Sequence, residues 1–301
     1  MRLGCIFLAP QSLAELDAMA ETLDVYGLSA ISAPKTFGDF TEDEAYAYGE
    51  RARALGLIIG ETGLWENFLT DDAELRANRI ERFRRLLRNA DIAGVRSANT
   101  LVGTKHASDR PLFPHAYNFT KECRAEFREV VLRILDGLEL KNTKYGIEPW
   151  YTTFFYQPED IKEFIVSVDH PRFGLHMDQG NMISHASFYN TTAMIEKTFA
   201  LLKHDVVSVH IKDVQWEGAH FGLRWNEVPL GEGTMDIATY LRHIATLDAD
   251  ITCYLEHFYE ERDYALNFAR LHHIARGAGL SFLPRQPLKG QRTVTGKFPK
   301  A

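Results

Sequence analysis

Eight times along the chain, a short run rich in aliphatic and β-branched residues is followed by a longer segment with helical spacing. The runs cover residues 3–8, 28–33, 57–61, 94–99, 143–148, 172–178, 206–212 and 250–257. The first helical segment carries Leu13, Leu16, Met19, Ala20 and Leu23 on one face. Later ones start at Thr41 and stop near Gly56, or cover 73–89, 120–138, 158–167, 191–202, 235–245 and 264–278. Ser12 with Glu15, and Thr41 with Glu44, have the spacing of capping boxes, which satisfy free backbone N–H groups at a helix start. Two polar stretches, 100–115 and 214–233, read as long loops.

Parallel strands need crossover connections, and here the connections are helices. Eight such units favour a closed (β/α)8 TIM barrel over an open doubly wound sheet. No GxGxxG follows the first strand and no GxxxxGK is present, so nucleotide-binding open sheets lose support. A chain of 301 residues has room for one such barrel, placed at 1–283. The basic stretch 284–301 reads as a tail that is either mobile or docked on a neighbouring subunit.

Charge and cysteine usage narrow the function classes. Lys and Arg number 34 against 41 Asp and Glu, giving −7, a balance that repels phosphate backbones and argues against nucleic acid as a partner. The three cysteines, Cys5, Cys123 and Cys253, are far apart. They suit neither a disulfide framework nor a Cys-based zinc site, and a cytoplasmic location is expected. No apolar stretch reaches the roughly 20 residues of a membrane span. The N-terminal apolar run, soon followed by Pro10, is too short for a secretory signal.

In barrels of this type the reactive groups sit at the C-terminal ends of strands. Strands five to eight end in Glu148, Asp178, His210 and Glu256. Any one of these alone reads as a helix cap. Four on successive strands read as one site above half of the barrel mouth. Three carboxylates and one imidazole form an oxygen-rich donor set suited to one divalent ion. Mn2+ is expected first, with Mg2+, Co2+ or Zn2+ as alternatives. Three crowded carboxylates also need a cation to stay ionised.

Around these residues the sequence resembles the sugar phosphate isomerase/epimerase-like family of xylose-isomerase-type barrels. The resemblance rests on Gly146-Ile147-Glu148-Pro149, His176-Met177-Asp178-Gln179-Gly180-Asn181 and Val209-His210-Ile211-Lys212-Asp213. It continues in Pro229-Leu230-Gly231-Glu232-Gly233-Thr234-Met235-Asp236 and Tyr254-Leu255-Glu256-His257. It implies that Glu148, Asp178, His210 and Glu256 are metal ligands, and that Glu148 and Glu256 also act as acid and base. The implied activity is isomerisation or epimerisation of a keto-sugar through an enediolate. A metal acting as Lewis acid and a carboxylate on each face of the sugar make that chemistry reasonable.

Two departures bear on the substrate. The family's ketose epimerases carry histidine where Asn181 stands, and arginine in the stretch that here reads Val214-Gln215-Trp216. The Asp-x-x-Asn form instead resembles a branch that includes C-glycoside deglycosidase catalytic subunits. That branch implies a carbon–carbon lyase acting on 3-keto-glycosides with a small partner subunit, hence a hetero-oligomer. Trp150, His176, Asn181 and Lys212 are the expected substrate-binding residues. Trp150 either stacks on a sugar or aromatic aglycone or packs under a loop. Lys212 either holds a substrate oxygen or pairs with Asp213. His176 lies on the same side of its strand as Asp178, as a base or as a partner that orients a ligand. His185, His220 and Arg224 read as loop surface, and Gly231 and Gly233 as a tight turn. Trp150, Phe154, Phe155, Trp216, Phe221 and Trp225 offer aromatic surface for an aglycone.

Overall fold

The computed structural model describes residues 1–6, 8–217, 224–258 and 260–287. Eight parallel strands form one sheet: β1 (Arg2–Cys5), β2 (Ala30–Ser32), β3 (Ile58–Leu64), β4 (Ser97–Thr100), β5 (Lys144–Ile147), β6 (Phe173–Asp178), β7 (Val206–Ile211) and β10 (Thr252–Leu255). Their order is β1-β10-β7-β6-β5-β4-β3-β2. The two ends meet through a hydrogen bond from Ser29 N to Leu3 O (3.0 Å), so the barrel is nearly closed. The helices between them are α1 (Leu13–Val25), α2 (Glu42–Ala54), α3 (Ala73–Ala93), α4 (Lys121–Leu135), α5 (Pro158–Val168), α6 (Thr191–Leu202), α7 (Ile237–Ile244) and α8 (Glu261–Gly277). Among the described residues no helix is long and apolar enough to cross a membrane.

The expected elements form, with two local differences. Thr41 and Glu44 make a full capping box, whereas Glu15 reaches past Ser12 to accept from Gln11 N (2.8 Å). The stretch 214–233 is not simply a loop. It contains an antiparallel hairpin, β8 (Asp213–Trp216) with β9 (Trp225–Val228). Each strand has only four residues, too few to give a clear period-two pattern in the sequence. His220 and Phe221 lie outside the described residues.

Strand alternation splits the core into two layers. Tyr145, Ile147, Leu175, Met177, Val209, Ile211 and Leu255 face the helices and are fully buried. The barrel interior is polar. Ser97 Oγ lies 3.0 Å from Ser208 Oγ, and Ser208 Oγ lies 2.5 Å from His176 Nδ1. Tyr254 crosses this interior. Its hydroxyl donates to Ile31 O (2.6 Å) and accepts from Gly60 N (3.1 Å), tying β10 to β2 and β3.

The β6–β7 register shifts between Leu175 and His176, where Val207 is the extra residue. Glycine at 146 and 174 leaves room for the Val207 side chain, which would otherwise meet a Cβ at 2.9 and 2.7 Å. Such a bulge re-aims the residues beyond it, here His210.

The segment expected as a tail starts against the barrel's own N-terminal face. Arg285 pairs with Asp24 and donates to Leu55 O, and Leu283 N donates to Met1 O. Residues 288–301 lie outside the described residues.

Helices α2 and α3 touch at Gly49, where a Cβ would sit 2.2 Å from Ala93 O. Gly49→Ala should therefore destabilise the protein by roughly 1–3 kcal/mol through overpacking. The check is a lower urea midpoint. An unchanged midpoint would mean that the two helices separate freely.

Candidate metal centre

The C-terminal ends of β5, β6, β7 and β10 bring Glu148, Asp178, His210 and Glu256 together. One donor atom from each lies within 4.8 Å of those of the others. All four are buried, at 6, 0, 2 and 4% exposure. Glu148 is fixed from the backbone, its N–H donating to Thr100 O (2.9 Å) across the β4–β5 boundary. Asp178 Oδ1 accepts from Asn181 N (3.2 Å), a turn that also points the Asn181 amide at Glu148 Oε1 (2.9 Å).

The two glutamates stand in different surroundings. Glu148 meets neutral donors, Asn181 Nδ2 and the Trp65 indole N–H (2.8 Å). Burial and then the nearby Glu256 charge push its carboxyl up to about 7. Glu256 meets cations. His210 Nδ1 lies 2.8 Å from Oε2, Lys212 Nζ 3.0 Å from Oε2, and His257 Nε2 3.3 Å from Oε1. Burial alone would raise Glu256, but His210 and then Lys212 hold it well below the usual carboxylate range. Asp178 is pushed up to about 6 by burial, against the pull of Lys212 at 2.7 Å.

His210 is raised well above its ordinary value, because Glu256 and Glu61 outweigh the effect of burial. Glu61, Glu148, Asp178, Glu227 and Glu256 thus surround Lys212, His210 and the outer His257. Three carboxylates and one imidazole converge here, and negative groups outnumber positive ones. This donor set fits a hard or borderline divalent cation.

Lys212 is 4% exposed and does not pair with Asp213. It contacts Asp178, Glu256, Glu227 (3.2 Å) and Asn181 Oδ1 (3.4 Å). Asp213 instead accepts four backbone N–H groups: Val214 (2.9 Å), Gly231 (2.8 Å), Gly233 (3.0 Å) and Met235 (3.0 Å). That knot holds the hairpin over the mouth and needs Gly233, where a Cβ would meet Asp213 Oδ1 at 2.2 Å.

His176 lies deeper, fully buried, edge-on to the His210 ring at 4.0 Å. Burial, then the His210 charge, keeps it well below its usual value. Trp150 stacks on Tyr151 (5.3 Å), Tyr151 meets Trp225 (5.9 Å), and the buried Phe188 packs between Trp225 and Trp216. Phe154 and Phe155, expected as aglycone surface, pack instead on Phe164 of α5.

Four residues of the centre escaped the sequence reading: Glu61, Trp65, Glu227 and His257. Glu61 closes the third expected strand, so the strand-end rule already pointed to it. Trp65 and Glu227 carried no such signal, since a strand extension and a hairpin bring them in. His257 adjoins a candidate ligand and adopts φ +61°, a left-handed conformation uncommon outside glycine. Its ring is held by Glu227 (2.7 Å).

No curated protein matches the chain in sequence. Among solved structures, a xylose isomerase-like TIM barrel protein from Mycobacterium smegmatis in complex with magnesium is 18% identical. The match covers 88% of this chain and 90% of that one, with a TM-score of 0.63. The 3-keto-D-glucoside 4-epimerase from E. coli is 16% identical over 91% and 99% of the two chains, TM-score 0.63. Endonuclease IV from Thermus thermophilus is 14% identical over 92% and 100%, TM-score 0.66. These are likenesses of fold. The family model described as xylose isomerase-like TIM barrel matches residues 16–278, and the chain belongs to that family.

Proposed function

We propose that this protein is a divalent-metal-dependent enzyme that moves a proton beside the ketone of a keto-sugar, giving isomerisation or epimerisation. The observation that carries the reading is the contrast between Glu148 and Glu256. Two carboxyl groups at one site, with environments that push their proton affinities apart, divide into a donor and an acceptor. Glu256 is held ionised by its cations and accepts the proton from the carbon next to the ketone. Glu148, which meets only neutral hydrogen-bond donors, stands as the second carboxyl group that exchanges a proton with the substrate. Return of the proton to the opposite face of that carbon gives an epimer. Return to the neighbouring carbon gives an isomer.

Glu148, Asp178, His210 and Glu256 would hold the ion, whose Lewis acidity would stabilise negative charge on the substrate's oxygens. The same family fold binds magnesium in the mycobacterial protein, and Mn2+ is our first choice here. Lys212 offsets the carboxylate charge and keeps Asp178 aimed at the centre. The acidic mouth disfavours a nucleic-acid backbone as substrate, although endonuclease IV shares the fold.

A second reading rests on the partly exposed aromatic run of Trp150, Tyr151 and Trp225. It suits a planar aglycone. The same proton removal from a 3-keto-glycoside would then expel that aglycone by elimination, with a small partner subunit completing the enzyme.

Two outcomes are expected. In deuterated water with Mn2+, a keto-sugar should take up deuterium, and Glu148→Gln should slow this about 100-fold or more. Free ketoses exchanging would support the isomerase or epimerase; aglycone released from a 3-keto-glycoside would support the lyase. Exchange that persists without any divalent ion would sink the reading.

Second, Mn2+ should raise the thermal midpoint more at pH 8 than at pH 6. Folded Glu148 and Asp178, at about 7 and 6, hold protons that the unfolded chain has already released. The metal-free fold therefore loses stability as pH rises through this range. A bound cation removes that penalty. An equal shift at both pH values, or none, would count against the metal centre.

A further inference from the structure

We propose that Glu61 is a positioning residue for His210, holding the proton on Nε2 so that Nδ1 offers its lone pair to the metal. The inference rests on the metal-centre reading above. It goes beyond that reading because Glu61 is not among the four candidate ligands.

His210 meets a carboxylate at each ring nitrogen. From the mouth, Glu256 Oε2 lies 2.8 Å and Asp178 Oδ2 4.0 Å from Nδ1. From the interior, Glu61 places Oε2 at 3.0 Å and Oε1 at 3.3 Å from Nε2. A neutral imidazole has one N–H and one lone pair, and the hydrogen bond made by one nitrogen decides the role of the other. A carboxylate on Nε2 fixes the N–H there, leaves Nδ1 free to ligate, and makes the ring a stronger donor. Glu61 is suited to the task, being 1% exposed and paired in register with Ser97 at the centre of the barrel wall. The ring is steered further by His176, packed against it at an interplanar angle of 88°.

Glu61, His176 and His210 also have donor atoms within 4.8 Å of one another, the grouping of a second cation site. Positioning is the better account. A second ion would need both nitrogens of His210, hence an imidazolate. The number of ions bound separates the two.

The experiment compares the full-length wild type with Glu61→Gln, which keeps the volume and removes the charge. Mn2+ binding to the metal-free proteins is followed by titration calorimetry. The protonated nitrogen of His210 is read from proton–nitrogen correlation spectra of the Zn2+-loaded, histidine-labelled protein. We expect one ion per chain in both proteins, bound about 10–100-fold more weakly by the variant. The wild type should show His210 protonated at Nε2, and this N–H resonance should move in the variant.

Equal affinity, with an unmoved resonance, overturns the role of Glu61 and leaves the metal centre standing. No ion bound by the wild type overturns both. Two ions in the wild type and one in the variant make Glu61 a ligand, which also overturns positioning. Should Glu61→Gln fail to fold, the wild-type spectrum still decides, because a His210 proton on Nδ1 is incompatible with the proposal.

Discussion

The ammonium of Lys212 lies 2.7 Å from Asp178 and 3.0 Å from Glu256, inside a mouth crowded with carboxylates. Much else follows from that placement. Like charges brought together in a poorly hydrated site repel, and each raises the proton affinity of the next. Lys212 and His210 keep one glutamate ionised, while Glu148, served only by amide and indole donors, stays near neutrality. The difference between the two glutamates is a matter of neighbours, since the side chains are chemically the same. A buried ammonium is tolerable only with such partners, because desolvating it alone costs several kcal/mol.

The rest of the barrel holds this arrangement in place. The Val207 bulge lets β7 present Ser208 and His210 inward in register with His176 and Asp178. The polar interior supplies hydrogen-bond partners that an aliphatic one would lack, so His176 and Glu61 can sit beneath the centre. Asp213, one residue beyond Lys212, anchors the returning chain through four N–H groups. The hairpin is thereby positioned to bring Glu227 back onto Lys212 and His257. Rigid strands set the candidate ligands, and one knotted loop sets their outer partners. Sites built on strands in this way are held more closely than sites built on loops.

The fold and the innermost site were legible in the chain itself. Eight repeats of strand and helix favour the barrel over an open sheet, because parallel strands need helical crossovers and eight such units suit closure. The strand-end rule then finds Glu148, Asp178, His210 and Glu256 without coordinates, since one residue per strand end faces the mouth at the same height. The rule also covered Glu61, the last residue of the expected third strand, although β3 itself runs on to Leu64.

What the sequence could not contain is anything that depends on distance across the barrel. Whether Lys212 pairs with its neighbour Asp213 or with Asp178 is undecided in one dimension. The closed sheet decides it, by turning Lys212 into the mouth and Asp213 towards the loop. Glu227 and Trp65 reach the site because a hairpin folds back and β3 runs on past Glu61 to Leu64. The unequal surroundings of Glu148 and Glu256 exist only where the strands converge. Spacing along the chain determined which groups meet, and the tertiary structure decided their charge and proton state, because electrostatic interaction depends on separation and burial in space.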